Sequence, residues 1–457
     1  MGSPRSIVPC ALALAGAALL LPGPHLEAFT ALGFDLGLDQ RDARVFNNFQ
    51  DPTANDNTTP DPNWPGFTGA PLALWKAVAE WGSRLHGDGS GDPSQPFDVG
   101  SGGANFDATW QGLAPGPGGA SANIAYAMSM GGGVLSTVEV GPGGWRIIFN
   151  DDLVWDDGPG VSITGLDLQG VMAHEYGHAI GLGHSSVSGA TMRGAISGNG
   201  VPARSIEADD IAGVQFVYGA AAPFKPEIQA VSGAAPIVIT GTGFDPTANE
   251  VWFTAAEVNL DGEPVVASGV ASTLAGTRIE LPLPLGAGPG EVLVRVPGSG
   301  GGDLSNAFPL DVPPCPEPST YCTPKANSQG CVPGIHSAGR PSASAGIGFA
   351  ISASNVLNNK PGLVFYGTSG PLAAPFQGGF LCVRPPNRRT AVQDSGGNPP
   401  PDDCSGSYAF DFNAWIATGQ DPSLTAGSEV WAQYFSRDPQ SPSGTGLTDA
   451  LTFRVCP

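Results

Sequence analysis

The sequence predicts an α/β (α+β) domain with a twisted sheet over residues 29–219, followed by two all-β domains over 227–312 and 313–457. Three observations predict it. Apolar residues recur at helical spacing only before residue 219, whereas later runs alternate with a period of two. Gly 67 and Pro 45 in 457 residues, with only 13% charged, describe a turn-rich chain of short strands. Six of the seven cysteines fall in the last third.

Charge narrows the partners. The net charge is −22, yet from Cys315 onward eight Lys+Arg face nine Asp+Glu, so nearly all the excess lies between Phe29 and Pro314. Nucleic acid and anionic membranes are poor partners for such a surface. Residues 1–28 read as a secretory signal peptide, with Arg5 as the positive start, Cys10 to Leu21 as the apolar core and Leu26-Glu-Ala28 as the cleavage site. The apolar run is shorter than the ~20 residues of a membrane span, and no second one follows. A secreted, extracellular monomer without a membrane span is therefore expected. Loss of the leader removes Cys10 and leaves Cys315, Cys322, Cys331, Cys382, Cys404 and Cys456, an even set that reads as a local disulfide framework.

In the first domain, residues 44–49 are a candidate strand and 51–65 a loop rich in Asp, Asn and Pro. The spacing predicts a helix over 70–81, with Leu74, Trp75, Val78 and Trp81 as its buried stripe. The loop His86-Gly-Asp-Gly-Ser-Gly-Asp92 has donors for calcium or a second zinc, although a solvated turn fits equally well. Strand-like runs follow at 104–110, 133–140 and 145–149, and then an acidic loop, 150–157, that is a second candidate for calcium. A last helix over 208–218 presents Ile211, Val214, Gln215 and Tyr218 inward and stops at Gly219.

Residues 220–226 form a small-residue linker. Beyond it, 236–240, 250–254, 278–281 and 291–296 alternate like strands of a β-sandwich between Gly/Pro turns. Residues 312–318 are a Pro-rich linker, and the last module is expected to be all-β and stapled by its cysteines in one of fifteen pairings. Tyr366, Trp415, Trp431, Tyr434 and Phe435 are candidates for stacking on a carbohydrate or other polymer, with core packing as the ordinary alternative.

The chemistry concentrates in residues 167–192. His174, Glu175, His178, Gly181 and His184 form H-E-x-x-H-x-x-G-x-x-H. Leu168, Val171, Met172, Ile180 and Leu182 are the apolar positions of a helix that Asp167 would cap. His174 and His178, at i and i+4, leave one face a turn apart, as two ligands of one tetrahedral zinc require. Glu175 sits where it could take a proton from a water on that zinc. Gly181 can adopt the positive φ that reverses the chain, bringing His184 round as a third ligand and leaving the fourth position open, as in catalytic sites.

Residues 29–219 thus resemble a metzincin metallopeptidase, and within that clan the matrixins. Three further features carry the likeness: Ser185-Ser186 after the third histidine, Met192 eight residues beyond it, and the series Asp209, Asp210, Ile211, Gly213, Gln215, Tyr218 and Gly219. The resemblance implies a metzincin-type catalytic domain in which His174, His178 and His184 hold zinc, Glu175 is general base and then acid, and Met192 floors the site. Arg193-Gly194 stands where matrixins commonly carry Tyr-Pro, which leaves the pocket wall open. No cysteine lies between residue 29 and the motif, so the thiolate latch of many matrixins is not expected in cis. Residues 239–244, the closing Val-Arg-Val-Pro297, and Ser305-Asn-Ala-Phe308 resemble the IPT/TIG immunoglobulin-like family, whose members usually act as spacers or binding modules.

These readings converge on a secreted zinc endopeptidase acting on protein or peptide substrates, with the C-terminal modules meeting a polymer or cell-surface ligand. The alternative is an exported adhesion or matrix-binding protein with an inactive metzincin-like domain.

Overall fold

The computed structural model describes residues 6–9, 28–89, 99–160, 165–195, 201–233, 236–256, 258, 261–298, 304–312 and 316–456. By contacts the chain forms two compact units: residues 1–313 without 234–236 and 282–285, and residues 314–457 with those two short pieces.

The first unit contains a six-stranded sheet. Its strands are β1 (Ser6–Pro9), β3 (Asp42–Phe46), β4 (Thr109–Leu113), β5 (Ile124–Met128), β6 (Ser136–Gly141) and β7 (Gly144–Asn150), in the order β1-β6-β7-β5-β3-β4. β3, β4, β5 and β7 run parallel, while β6 pairs antiparallel with β7 and with β1. β1 lies inside the expected leader, of which residues 1–5 and 10–27 fall outside the described residues. A short strand β2 (Thr30–Ala31) pairs with β10 (Leu182–Gly183), and β8 (Trp155–Asp156) with β9 (Leu166–Asp167).

Three helices accompany the sheet: α1 (Gly69–Ala79), α2 (Leu168–Ala179) and α3 (Ala208–Tyr218). α1 has no polar face; every residue from Gly69 to Val78 is buried, including Lys76, whose ammonium pairs with Asp61 at 3.3 Å. The expected stripe of Leu74, Trp75, Val78 and Trp81 is in the core, but so are the residues between them. A helix apolar all round is covered on all sides.

One expected strand differs, and one strand was not expected. The run 104–110 forms a strand only from Thr109, because Ala104 instead bridges Ala220. β5 was hidden in Ile-Ala-Tyr-Ala-Met, where small alanines mute the alternation that marks a half-buried strand. The inward face of α3 also shifts. Asp210, Gly213 and Val214 are its buried residues, while Ile211, Gln215 and Tyr218 are half-buried.

Residues 227–310 fold as two antiparallel four-stranded sheets. One has the order β11 (Glu227–Ser232), β12 (Ile237–Thr242), β16 (Arg278–Leu281) and β15 (Ser272–Thr273); the other β14 (Val265–Val270), β13 (Asn249–Ala255), β17 (Ala287–Arg295) and β18 (Phe308–Leu310). Ile237, Ile239, Val251, Phe253, Ile279, Val292 and Val294 are buried. β12 and β16 contribute alternate residues to this core, as facing sheets require.

The second unit is β-rich. Ser319–Tyr321, Thr445–Arg454, Glu429–Arg437, Pro361–Gly367 and Arg388–Arg389 lie in that order in its main sheet. A six-residue helix, Phe412–Ala417, departs from the all-β expectation; Asp411 caps it by accepting from Ala414 N–H. Cys322 pairs with Cys382 and Cys331 with Cys404, and Cys456 is disulfide-bonded as well, whereas Cys315 lies outside the described residues. Tyr366 and Tyr434, expected as stacking platforms, belong instead to the core: Tyr434 stacks on Tyr408, and the Tyr366 hydroxyl donates to Asp421. Trp415, Trp431 and Phe435 are half-buried against that core. A bridge with a sequence separation of 73 residues mainly restrains the unfolded chain. Replacing Cys331 and Cys404 by Ala is expected to lower the stability of this unit by about 3–4 kcal/mol, read as a fall in its urea midpoint.

Candidate metal centre

α2 begins where its capping chemistry predicts. Asp167 takes an extended φ of −72° and its Oδ2 accepts from Gly170 N–H at 3.1 Å. Arg204 locks this cap: its Nε and Nη2 donate to the Asp167 carboxylate at 2.9 and 2.8 Å, and both side chains are buried. At the other end Ile180 closes the helix and Gly181 adopts φ +104°. A Cβ there would collide with the Phe34 carbonyl oxygen.

This reversal delivers His184 to the histidines of α2. The ligand nitrogens of His174, His178 and His184 lie within 4.8 Å of one another, and no other such group of His, Cys, Asp or Glu occurs among the described residues. His174 Nδ1 contacts Thr191 O at 2.6 Å and His178 Nδ1 contacts Leu182 O at 2.7 Å. A carbonyl can only accept, so each Nδ1 carries the proton and each Nε2 presents its lone pair. Nε2 of His178 and of His184 is buried without a hydrogen-bond partner, an arrangement that suits a metal ion. Burial, and then the neighbouring His178, pulls the His174 pKa down to about 3; burial pulls His178 to about 4 and lowers His184. The three rings are therefore neutral at physiological pH, the form in which imidazole binds metal.

Glu175 projects beside the triad and is fully buried, its Oε1 accepting from Ser136 Oγ at 2.6 Å. Ser136 opens β6, so a sheet strand and a helix meet at this carboxylate. Met192 packs against Gly177 of α2, where a Cβ would overlap its sulfur and press on Trp81 at 2.8 Å. Gly194 allows the chain to pass over His184, since a Cβ would come within 2.8 Å of the ring. The Arg193 side chain is exposed.

Three residues support the site in ways the sequence reading did not assign. Asp210, at 0% exposure, accepts from Thr191 N–H at 2.8 Å, Met192 N–H at 3.0 Å and Glu207 N–H at 2.9 Å. It therefore ties α3 to the turn whose Thr191 carbonyl orients His174. Ser136 and Gly177 are the others. In sequence Asp210 stood only as part of the matrixin-like closing series and as an acidic residue in the first turn of a helix, where it serves as an ordinary cap. His86, whose loop was a candidate for calcium or a second zinc beside the equal alternative of a solvated turn, is buried with its ring stacked on Trp64 at 3.9 Å, and residues 90–92 of its loop lie outside the described residues. In the acidic loop 150–157, Asp151 accepts from Gln50 N–H, Asp152 from Gly131 N–H and Asp157 from Asn57 N–H. These carboxylates hold loops together. Asp210→Ala would strand three backbone donors, and a loss on the order of 3 kcal/mol is expected, with weaker metal retention; thermal melts with and without added metal measure both.

Comparison with known proteins agrees with this geometry. The family model described as Matrixin matches residues 125–219. Matrilysin of Rattus norvegicus is 41% identical over 80 residues, covering 17% of this chain and 29% of that protein. Matrix metalloproteinase-19 of Homo sapiens is 40% identical over 75 residues, 16% of this chain and 14% of that protein. Metalloendoproteinase 5-MMP of Arabidopsis thaliana is 52% identical over 58 residues, 12% of this chain and 15% of that protein. The chain thus spans less than a third of each of these relatives. Among solved structures, chicken CNTN1 FN1-FN3 domains align with 51% of this chain and 66% of that chain at 13% identity, but a TM-score of 0.16 carries no argument. The chain carries a matrixin-like metalloprotease segment.

Proposed function

We propose that the protein is a secreted zinc-dependent endopeptidase that hydrolyses peptide bonds of extracellular proteins. The observation that carries this reading is the convergence of three neutral imidazoles beside a buried carboxylate. His174, His178 and His184 would hold the ion through Nε2. Zinc supplies Lewis acidity there, lowering the pKa of a bound water towards ~7 and polarising the scissile carbonyl.

The chain's own groups do the rest. Glu175 accepts the proton of the attacking water and hands it to the leaving amine. Ser136 Oγ, donating to Oε1, holds that carboxylate in place for the transfer. Arg204 and Asp210 hold α2 and the Met192 turn in register, so the base and ligands are placed before substrate arrives. The outer edge of β6, which here pairs with β1, suits an extended peptide adding as an antiparallel strand. Such a strand would run past Ser136, which holds Glu175. Among the described residues no helix is long and apolar enough to cross a membrane, which is compatible with export. The alternative of an inactive adhesion protein has no observation in its favour, since no member of the ligand and base set is missing.

The deciding experiment gives the full chain an unfolded protein such as casein, with and without a zinc chelator. Chelation is expected to abolish cleavage and added zinc to restore it. Glu175→Ala should retain zinc and lose about 10²–10⁴-fold in kcat; equal cleavage by wild type and variant refutes the mechanism, and natively purified protein without zinc refutes the site. Ser136→Ala is expected to lower kcat about tenfold, or about 1.4 kcal/mol, with zinc content unchanged.

A further inference from the structure

The surface that α1 and β4 turn away from the metal helix is covered by the β-sandwich. Glu291 of β17 is 2% exposed and reaches into the first domain, where its Oε1 accepts from Trp110 N–H at 2.6 Å and its Oε2 from Trp75 Nε1–H at 3.0 Å. The two indoles stack with ring centroids 5.3 Å apart. Thr254 of β13 donates to Trp110 O at 2.8 Å and accepts from Glu291 N–H at 3.0 Å, so one hydroxyl stitches β4 to both central strands of the sandwich. Nearby, Lys225 and Asp107 form an ion pair at 2.9 Å with both side chains buried. Gly87 N–H donates to Ala307 O at 3.2 Å.

β4 is the last strand of its sheet. An uncovered edge strand presents unpaired N–H and C=O groups, and Trp110, the second residue of β4, here spends both backbone groups on the sandwich. Buried carboxylates and ion pairs are tolerated only where every polar group finds a partner. Burial pushes the Glu291 carboxyl up to about 7, a cost that a freely hinged spacer would shed by undocking. α1 gives the same indication, because it has no solvent-facing side.

The far side of α1 touches the metal centre. Trp81, two residues past its end, donates from Nε1 to Ala173 O at 3.0 Å, and Ala173 immediately precedes His174. Glu80 accepts from Ile206 N–H at 3.0 Å and Gly100 N–H at 3.2 Å, fixing the segment that leads into α3.

We infer that the sandwich is an integral wall of the metalloprotease core: the face of Trp75, Trp110 and Asp107 takes the β13–β17 face of the same chain as its permanent partner, and this docking holds α1 and, through it, the metal helix. Glu291 is a positioning residue, remote from the reacting atoms. The inference does not depend on the protein's catalytic activity.

Backbone hydrogen exchange on the full chain tests it, since exchange reports the local cost of opening. Glu291→Ala leaves the Trp75 and Trp110 donors without their acceptor. Exchange in α1 is expected to rise at least tenfold and in the first turn of α2 by a smaller factor, with β12 and β16 unchanged. Glu291→Gln, which keeps one acceptor, should fall between. Arg278→Ala, on the exposed side of the sandwich, serves as the control and should leave α1 unchanged. If Glu291→Ala does not fold, Thr254→Val removes only the hydroxyl bridge and is expected to raise α1 exchange alone. Unchanged α1 exchange in a folded Glu291 or Thr254 variant, or a rise confined to the sandwich, overturns the inference.

Discussion

Three imidazoles from one short stretch can share an ion only if the chain turns back on itself within a few residues. Here that reversal occurs at Gly181, with φ +104° and the Phe34 carbonyl occupying the space a Cβ would need. The rest of the site follows from this constraint. His174 and His178 are set by the pitch of α2, but His184 is set by the turn, and the Leu182 carbonyl inside that turn orients His178. A residue other than glycine would move the third ring and the second-ring acceptor together.

Burial sets the electrostatics. A buried imidazole resists protonation, and His178 and His184 depress His174 further, as His184 does His178, so the three rings stay in the neutral form that can bind a metal. The same burial would be costly for carboxylates, and each one near the site is compensated. Asp167 faces Arg204, Asp210 accepts three backbone N–H groups, and Glu175 is met by Ser136. Each compensating contact comes from a different element, so polar satisfaction and fold assembly are one process here. Packing adds a second layer: Trp81 and Met192 both reach α2 and close on Gly177.

Local chemistry was legible wherever a single segment encodes it. The H-E-x-x-H spacing, the Asp167 cap, Gly181 and the return of His184 are relations among residues fewer than twenty positions apart, and helix pitch converts them into geometry. Met192 and the closing helix could be placed by resemblance. β5 was not legible, because Ala125 and Ala127 pack as core without announcing it. The buried role of Asp210 was not legible either. A capping carboxylate looks the same in sequence whether it meets its own helix or a turn eighteen residues earlier.

The sequence by itself determined the donor set, the helix that carries it and the turn that completes it, since these depend on backbone rules that act over one or two turns. Only the tertiary structure decided what holds that set in place. Ser136 against Glu175, Arg204 against Asp167 and Glu291 against Trp75 join residues 39, 37 and 216 positions apart. No periodicity spans such separations; they are chosen when sheets and helices bury their apolar faces and each enclosed polar group must find a partner.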